Sequence, residues 1–328
     1  MKKILLLVAA FAVPALASAH TRWFLDGEPA PLQITEPTAL YLGIWAAIAA
    51  VVVGIGIYLH QRNLWRLSFL RPKAGHAYER AASTFTMVVG AFFLIAGTHE
   101  YLFSPNVSYE SGLPYVLIVA QISIGLALML GIMTRVAAIA LALVWLCSLF
   151  FTGWVAALEN IWVLSTAAFI AVMGNDYFSL VSSSALRDKF QMYKEYALSF
   201  LRLGTGFTLL TLGFSEKILN PEFGINFLAQ HDWNFMQSLG FEFSNYLFVL
   251  SAGAVESLFG LVFILGVVTR LNALIVAIVF TIPLFILGPI ELAGHMPHFA
   301  AVVLLLLFGS GGHFLLFKKY EDAKVAQA

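Results

Sequence analysis

Nine long apolar stretches leave this chain few ways to fold. They run over about 37–59, 81–103, 113–133, 136–153, 159–174, 197–219, 245–266, 271–290 and 298–317. An α-helix crosses the roughly 30 Å hydrocarbon core of a bilayer in about 20 apolar residues. No water is present there, so a crossing segment must satisfy its own backbone, and a continuous apolar run does so as a helix. Composition agrees: 60% of the residues are hydrophobic and 11% charged, against about 25% charged in soluble domains. The expected class is therefore an all-α polytopic membrane protein with the lipid bilayer as its main partner. The formal net charge is zero, so no global field draws in nucleic acid. A single cysteine, Cys147, excludes an internal disulfide, C-x-x-C redox chemistry, a cysteine-ligated Fe–S cluster and covalent c-type haem.

The start of the chain reads as a secretory signal over 1–19: Lys2 and Lys3, a short apolar stretch from Ile4 to Leu16, then Ala17-Ser18-Ala19. Cleavage there makes His20 the mature N-terminus, on the periplasmic side of a bacterial inner membrane. A periplasmic arm (20–36), a first span (37–59) and a basic loop (60–80) follow, and alternation then fixes each later loop. Basic residues test that topology independently, because cytoplasmic loops collect Lys and Arg. Every Lys and Arg after the signal falls on the expected cytoplasmic side except Arg22 and Lys217. The opposite loops carry acids instead, among them Glu110, Glu159, Glu222, Asp232, Glu242 and Glu291.

The membrane body repeats itself. Gly90 to Pro105 aligns without gaps on Gly206 to Pro221, and Gly131-Ile132-Met133-Thr134-Arg135 aligns on Gly266-Val267-Val268-Thr269-Arg270. Val172-Met173-Gly174 matches Leu307-Phe308-Gly309. The first copy occupies 81–178, a cytoplasmic linker 179–196, the second copy 197–317 and a tail 318–328. Both copies enter from the same side, so they are parallel four-helix repeats, related by an axis along the membrane normal. The Gly-x-x-Thr-Arg turn suits a tight reversal at glycine, with arginine snorkelling to the headgroups. The second copy has a longer outer loop, Asn220 to Asn245, rich in aromatic residues. It is expected to form a re-entrant or interfacial helix.

These residues resemble the DoxX-like membrane family, including the DoxD-type subunit of thiosulfate:quinone oxidoreductase. The resemblance rests on Arg202, Gly206 and Gly213-x-x-Lys217, on Glu256, Gly260 and Gly266-x-x-Thr269-Arg270, and on Glu291-x-x-Gly294-His295-x-Pro297 with Gly309. In the first copy Tyr101, Gln121 and Asn160 replace Lys217, Glu256 and His295. The resemblance thus implies that the second copy carries the function and the first is a structural partner.

The residues themselves point to candidate chemistry. Glu256 lies near the middle of its span, where an ionisable group is a functional hypothesis by default. Helical rise places it ~15 Å and Arg202 ~8 Å from the cytoplasmic end, and Lys217 roughly 12 Å from Glu256 in depth. The expected pair is therefore Arg202–Glu256, serving as a structural bridge, a proton relay or a quinone-headgroup contact. Glu291, His295 and His298 are spaced for one helix face, but Pro297 suggests that a new helix starts there. The expected arrangement is a helix-loop-helix corner on the periplasmic surface. Such a corner suits hydrogen bonding, a quinone carbonyl or proton site, or a Zn, Cu or Fe ion. Glu216 and Lys217, at the outer end of their span, either anchor at the interface or face that corner. A cleaved His20 would add an amine–imidazole chelate for copper, with a second histidine from His231, His295 or His298.

The leading functional expectation is a quinone-interacting redox subunit, linked to a sulfur compound or related donor. Catalytic candidates are Glu256, Arg202, Lys217, Glu291 and His295, and cofactor-binding candidates are Glu216 and His298. Electrons would come from a periplasmic donor or a membrane partner subunit. The alternatives are a non-enzymatic handler of small solutes or metal, and a scaffold for a partner enzyme. Pairing of the copies within one chain or across a homo-oligomer stays open at this level.

Overall fold

The computed structural model describes residues 36–73, 75–105, 107–108, 113–231 and 233–316. The signal, His20 and the arm lie outside this set, as does the tail. Among the described residues the structure is helical, with no strand beyond isolated bridges. The helices are α1 (Thr38–Gln61), α2 (Ala77–Thr98), α3 (Tyr115–Leu130), α4 (Thr134–Glu159), α5 (Ile161–Met173) and α6 (Ser184–Gln191). They continue as α7 (Ala197–Leu212), α8 (Pro221–His231), α9 (Phe235–Ser238), α10 (Asn245–Leu265), α11 (Thr269–Leu287) and α12 (Pro289–Phe308). A π-helical turn, Gly213–Ile218, prolongs α7.

Each of the nine apolar stretches contains a helix, but the stretch expected at 81–103 is helical only to Thr98, and the one expected at 298–317 is helical only to Phe308, in a helix that begins at Pro289. Five helices are long and apolar enough to cross a membrane: α1, α2, α4, α7 with its flanking turns, and α10. The apolar parts of α3, α5, α11 and α12 are shorter. The stretch expected at 136–153 is part of a 26-residue helix that bends at Gly153, where φ is 80°.

Within each copy successive helices pack side by side: α2 on α3, α3 on α4 and α4 on α5, then α7 on α10, α10 on α11 and α11 on α12. Between copies α5 packs on α7, and α12 packs reciprocally on α2. That reciprocity is what parallel repeats about a common axis require. The two copies therefore join inside one chain, and α2, α5, α7 and α12 form the centre. One hydrophobic core crosses the junction, from Phe92, Phe93 and Trp162 to Leu201, Leu304 and Phe308. Trp162 fixes it further: its backbone N–H donates to Thr208 Oγ1 at 3.0 Å. Helix α1 leans on α10 through Trp45 and its neighbours.

The repeated turn has one geometry in both copies. Gly131 and Gly266 cap α3 and α10 in the left-handed region, with φ of 67° and 70°. Arg135 does not snorkel. It is buried under Gly174 and bonds Asp176 through both Nη atoms, at 2.8 and 2.9 Å. Asp176 follows α5 immediately and so meets α4 before any headgroup does. Burial opposes ionisation of Asp176, but the bonds and charge of Arg135, with Arg187 nearby, outweigh it and hold its carboxyl below the usual range.

A buried lysine–glutamate pair in the second repeat

The candidate site lies where α7 meets α10. A Cβ on Gly206 would stand 2.8 Å from the Gly260 carbonyl, and one on Gly213 would stand 2.6 Å from the Gly253 carbonyl. The backbones touch along this seam, as small residues permit between membrane helices. The seam sets an antiparallel register. Leu210 lies four residues beyond Gly206 as Glu256 lies four before Gly260, so those two positions are level. Arg202 is level with Ile264 by the same count.

Lys217 Nζ donates to Glu256 Oε2 at 2.6 Å, and their side chains are 2% and 7% exposed. The expected Arg202–Glu256 pair is absent, and side-chain direction explains why. On a helix the Cα–Cβ bond tilts toward the N-terminus. Glu256 on α10 and Lys217 on the end of α7 therefore lean toward each other, which closes the roughly 10 Å that seven residues of rise put between their levels. Arg202 leans the opposite way. Its guanidinium donates to the carbonyls of Ser310, Phe263, Ile264, His313 and Phe314. It is a buried cation gathering the orphan carbonyls of Phe263 and Ile264 at the end of α10, where the helix dipole favours positive charge, and three carbonyls of the segment that follows α12. Gly266 leaves the room for it, since a Cβ there would sit 2.8 Å from Arg202 Nη1.

The π-turn brings Ser215, Glu216 and Lys217 all into the interior. Three consecutive buried residues need neighbours on several sides, and α8 and α10 both pack on the turn. The segment expected to lie as one interfacial helix is instead α8 and α9, folded over the end of α10 with Phe227, Trp233 and Phe248 in a shared cluster. Its first helix, α8, packs on both the π-turn that carries Lys217 and α10, which carries Glu256. Glu216 is buried beside that pair rather than anchored at an interface.

The first copy supplies an internal comparison. Gln121, the counterpart of Glu256, is fully buried. Its Nε2 donates to the carbonyls of Tyr101 and Phe93, and its Oε1 accepts from the Phe103 N–H. The same place thus holds a neutral hydrogen-bonded amide in one copy and an ion pair in the other. Burial pushes the phenol of Tyr101, the counterpart of Lys217, up to about 12.

The expected helix-loop-helix corner is also corrected. Helix α12 runs unbroken from Pro289, its N1 residue, through Pro297. A proline inside a membrane helix is tolerated where neighbouring helices re-satisfy the freed backbone. His295 and His298 are 4% and 5% exposed, so they are interior and not on an outer surface. Their rings lie 6.1 Å apart, His298 against Trp162 of the first copy at 5.1 Å and His295 against Phe280 at 5.7 Å. Glu291 belongs to α12, but its side chain lies outside the described residues, as does all of His20. His231 is exposed, its ring tilted against that of Phe227 with centroids 4.6 Å apart. Among the described residues no three His, Cys, Asp or Glu side chains form a group able to hold a metal ion. The π-turn, Trp162 as the His298 platform, and the Gln121 bridge were not anticipated; the polar run Ser215-Glu216-Lys217 closing an apolar stretch was the available signal for the first.

Fold and pair together define a class: a multi-pass helical membrane protein of two parallel four-helix copies, with a lysine–glutamate pair buried in the second copy where the first has Tyr101 and Gln121. The chain belongs to the DoxX family, whose model matches residues 81–154 and 197–289. Those two segments make up half of the chain and begin where each copy begins. No curated protein and no solved structure matches the chain.

Proposed function

We propose that this DoxX-family protein is the quinone-interacting membrane subunit of a redox system, with the Lys217–Glu256 pair as its protonatable contact on the periplasmic side of an inner membrane. The observation that carries this is an ion pair almost wholly removed from solvent, present in one copy and replaced by a neutral amide in the other. A structural bridge alone would not need charge, because Gln121 ties the same place without it. The similarity to the DoxD-type subunit supports a quinone over other acceptors and a reduced sulfur compound as donor class. Electrons would reach the site from a donor or partner subunit, since a single cysteine offers no thiolate-ligated relay.

The donor set fits a quinone head group. Lys217 supplies an ammonium for a carbonyl oxygen, and Glu256 a carboxylate able to take up or release a proton. The aromatic cluster of Phe227, Trp233 and Phe248, where α8 packs on α10 and the π-turn, supplies apolar surface near the pair. A quinone bound there would accept two electrons and two protons. The pair is almost closed from solvent in this conformation, so admission of a head group requires its surroundings to rearrange.

The test is quinone-dependent oxidation of thiosulfate by the purified membrane protein, with any co-purifying subunit, comparing the native chain with Glu256→Gln and Lys217→Met. Both variants are expected to lose about 10²-fold or more of turnover, the usual weight of a positioned proton-transfer group. Unchanged turnover in both variants would remove the assignment. A native chain inactive with quinone, yet accumulating a solute in vesicles, would favour the transport alternative.

A further inference from the structure

The two copies also differ one residue beyond Glu256. A hydroxyl inside a membrane helix commonly donates to the carbonyl four residues back, as those of Thr86, Thr205, Ser251 and Thr281 do. Ser257 departs from this. It is 7% exposed, and its Oγ is buried with no hydrogen-bond partner among the described residues. A buried hydroxyl left unmatched is costly. The counterpart of Ser257 in the first copy is Ile122, which packs over Gly97 as Ser257 packs over Gly213. The equivalent seam therefore accepts a larger, apolar side chain at this place, and close packing alone does not call for serine. Lys217 is incomplete in the same way. An ammonium carries three donors, and among the described residues Glu256 Oε2 is the one acceptor of Lys217 Nζ.

Both groups sit at one crossing of the seam. A Cβ on Gly253 would stand 2.8 Å from Lys217 Cβ, and Ser257 Oγ fills the space that a Cβ on Gly213 would need. Side chains on a helix lean toward its N-terminus. In this antiparallel seam Lys217 and Ser257 therefore approach the Gly213–Gly253 crossing from opposite sides, and Glu256 approaches from the side of Ser257. We propose that Ser257 is a further contact of the site: its Oγ–H and a spare N–H of Lys217 donate together to one carbonyl oxygen of the quinone head group. The inference rests on the quinone reading and adds a third residue to it. A carbonyl oxygen has lone pairs for both donors. Two donors aimed at one oxygen stabilise the negative charge that grows there as electrons arrive. Ser257 keeps its proton throughout. The quinone takes two electrons from the sulfur-compound donor and two protons to become the quinol, with proton transfer assigned to Glu256.

The test uses the full-length protein in nanodiscs with a short-chain benzoquinone isotope-labelled at its carbonyls. Infrared difference spectra read the hydrogen bonds to each carbonyl, and titration gives the Kd. The native protein is compared with Ser257→Ala and with Ser257→Thr, which restores a hydroxyl. One carbonyl band is expected at lowered frequency in the native protein, to rise in Ser257→Ala and to fall again in Ser257→Thr. Ser257→Ala is expected to bind about fivefold more weakly, the weight of one hydrogen bond. Its Tm is expected to match or exceed the native value, because an unmatched buried hydroxyl is removed. A lowered Tm with the carbonyl band unmoved would show a structural serine and overturn the contact. Native protein that binds the quinone, with the same band and Kd in Ser257→Ala, would overturn the contact and leave the quinone reading standing. Native protein that binds no quinone would overturn both.

Discussion

Lys217 and Glu256 make sense only as a pair. Removing one partner strands a buried charge, which costs about 3–5 kcal/mol, whereas replacing both by apolar residues of similar volume is often neutral or stabilising by about 1–4 kcal/mol. Glu256→Met alone is therefore expected to destabilise the protein strongly, and Lys217→Met with Glu256→Met to recover most of that loss, as measured by unfolding in detergent. Additive losses would mean the two side chains do not depend on each other. Stability recovered in the double variant while turnover stays lost would separate the chemical role from the structural one. The first copy already carries the uncharged solution, Gln121 bonded to the Tyr101 and Phe93 carbonyls. At this scale the sequence exposed the right residues and misassigned one partner. Depth along a helix can be counted from the chain, but the direction in which a side chain leans toward its neighbour depends on which helix stands opposite, and that favoured Lys217 over Arg202.

Among the elements, the seam of α7 and α10 is the part whose geometry the site depends on. The backbones meet at Gly206–Gly260 and Gly213–Gly253 so closely that a Cβ on Gly260 would stand 2.5 Å from the Gly206 carbonyl. Gly260→Ala must push the helices apart and is expected to cost about 1–3 kcal/mol, the usual range for overpacking, with the Lys217–Glu256 distance growing as they part. Gly54→Ala in α1 is the control. A Cβ there meets nothing within 4 Å, and alanine is the better helix former, so no loss of Tm is expected. Equal effects from the two substitutions would show that the seam has no special constraint. The alignment of Gly90 with Gly206 marked this position in the sequence, but glycine in a membrane helix can equally mark a bend, as Gly153 does in α4. Helix α12 taught the reverse lesson: Pro297 looked like a helix start and is an interior residue, because the packed neighbours of a membrane helix satisfy what proline frees.

For the whole molecule, the reciprocal contacts of α5 with α7 and of α12 with α2 tie the copies into one body. The linker between them includes α6, which buries none of its residues. A chain broken within 184–191 and expressed as two pieces is expected to co-purify through an affinity tag on either piece, since the shared core around Trp162 does not depend on the covalent link. Pieces that insert but never associate would contradict that account of the interface. What the amino-acid sequence by itself determined was the class, the nine apolar helices, the parallel duplication and the difference in charge between the copies. Each is written in local hydropathy, in the bias of Lys and Arg, or in recurring glycines, none of which needs a partner helix to be read. Only the tertiary structure decided which charges meet, that His295 and His298 are interior, and that α8 folds against the π-turn and α10. Those outcomes depend on the register and facing of helices distant in the chain, which residue order constrains only through the packing of the completed bundle.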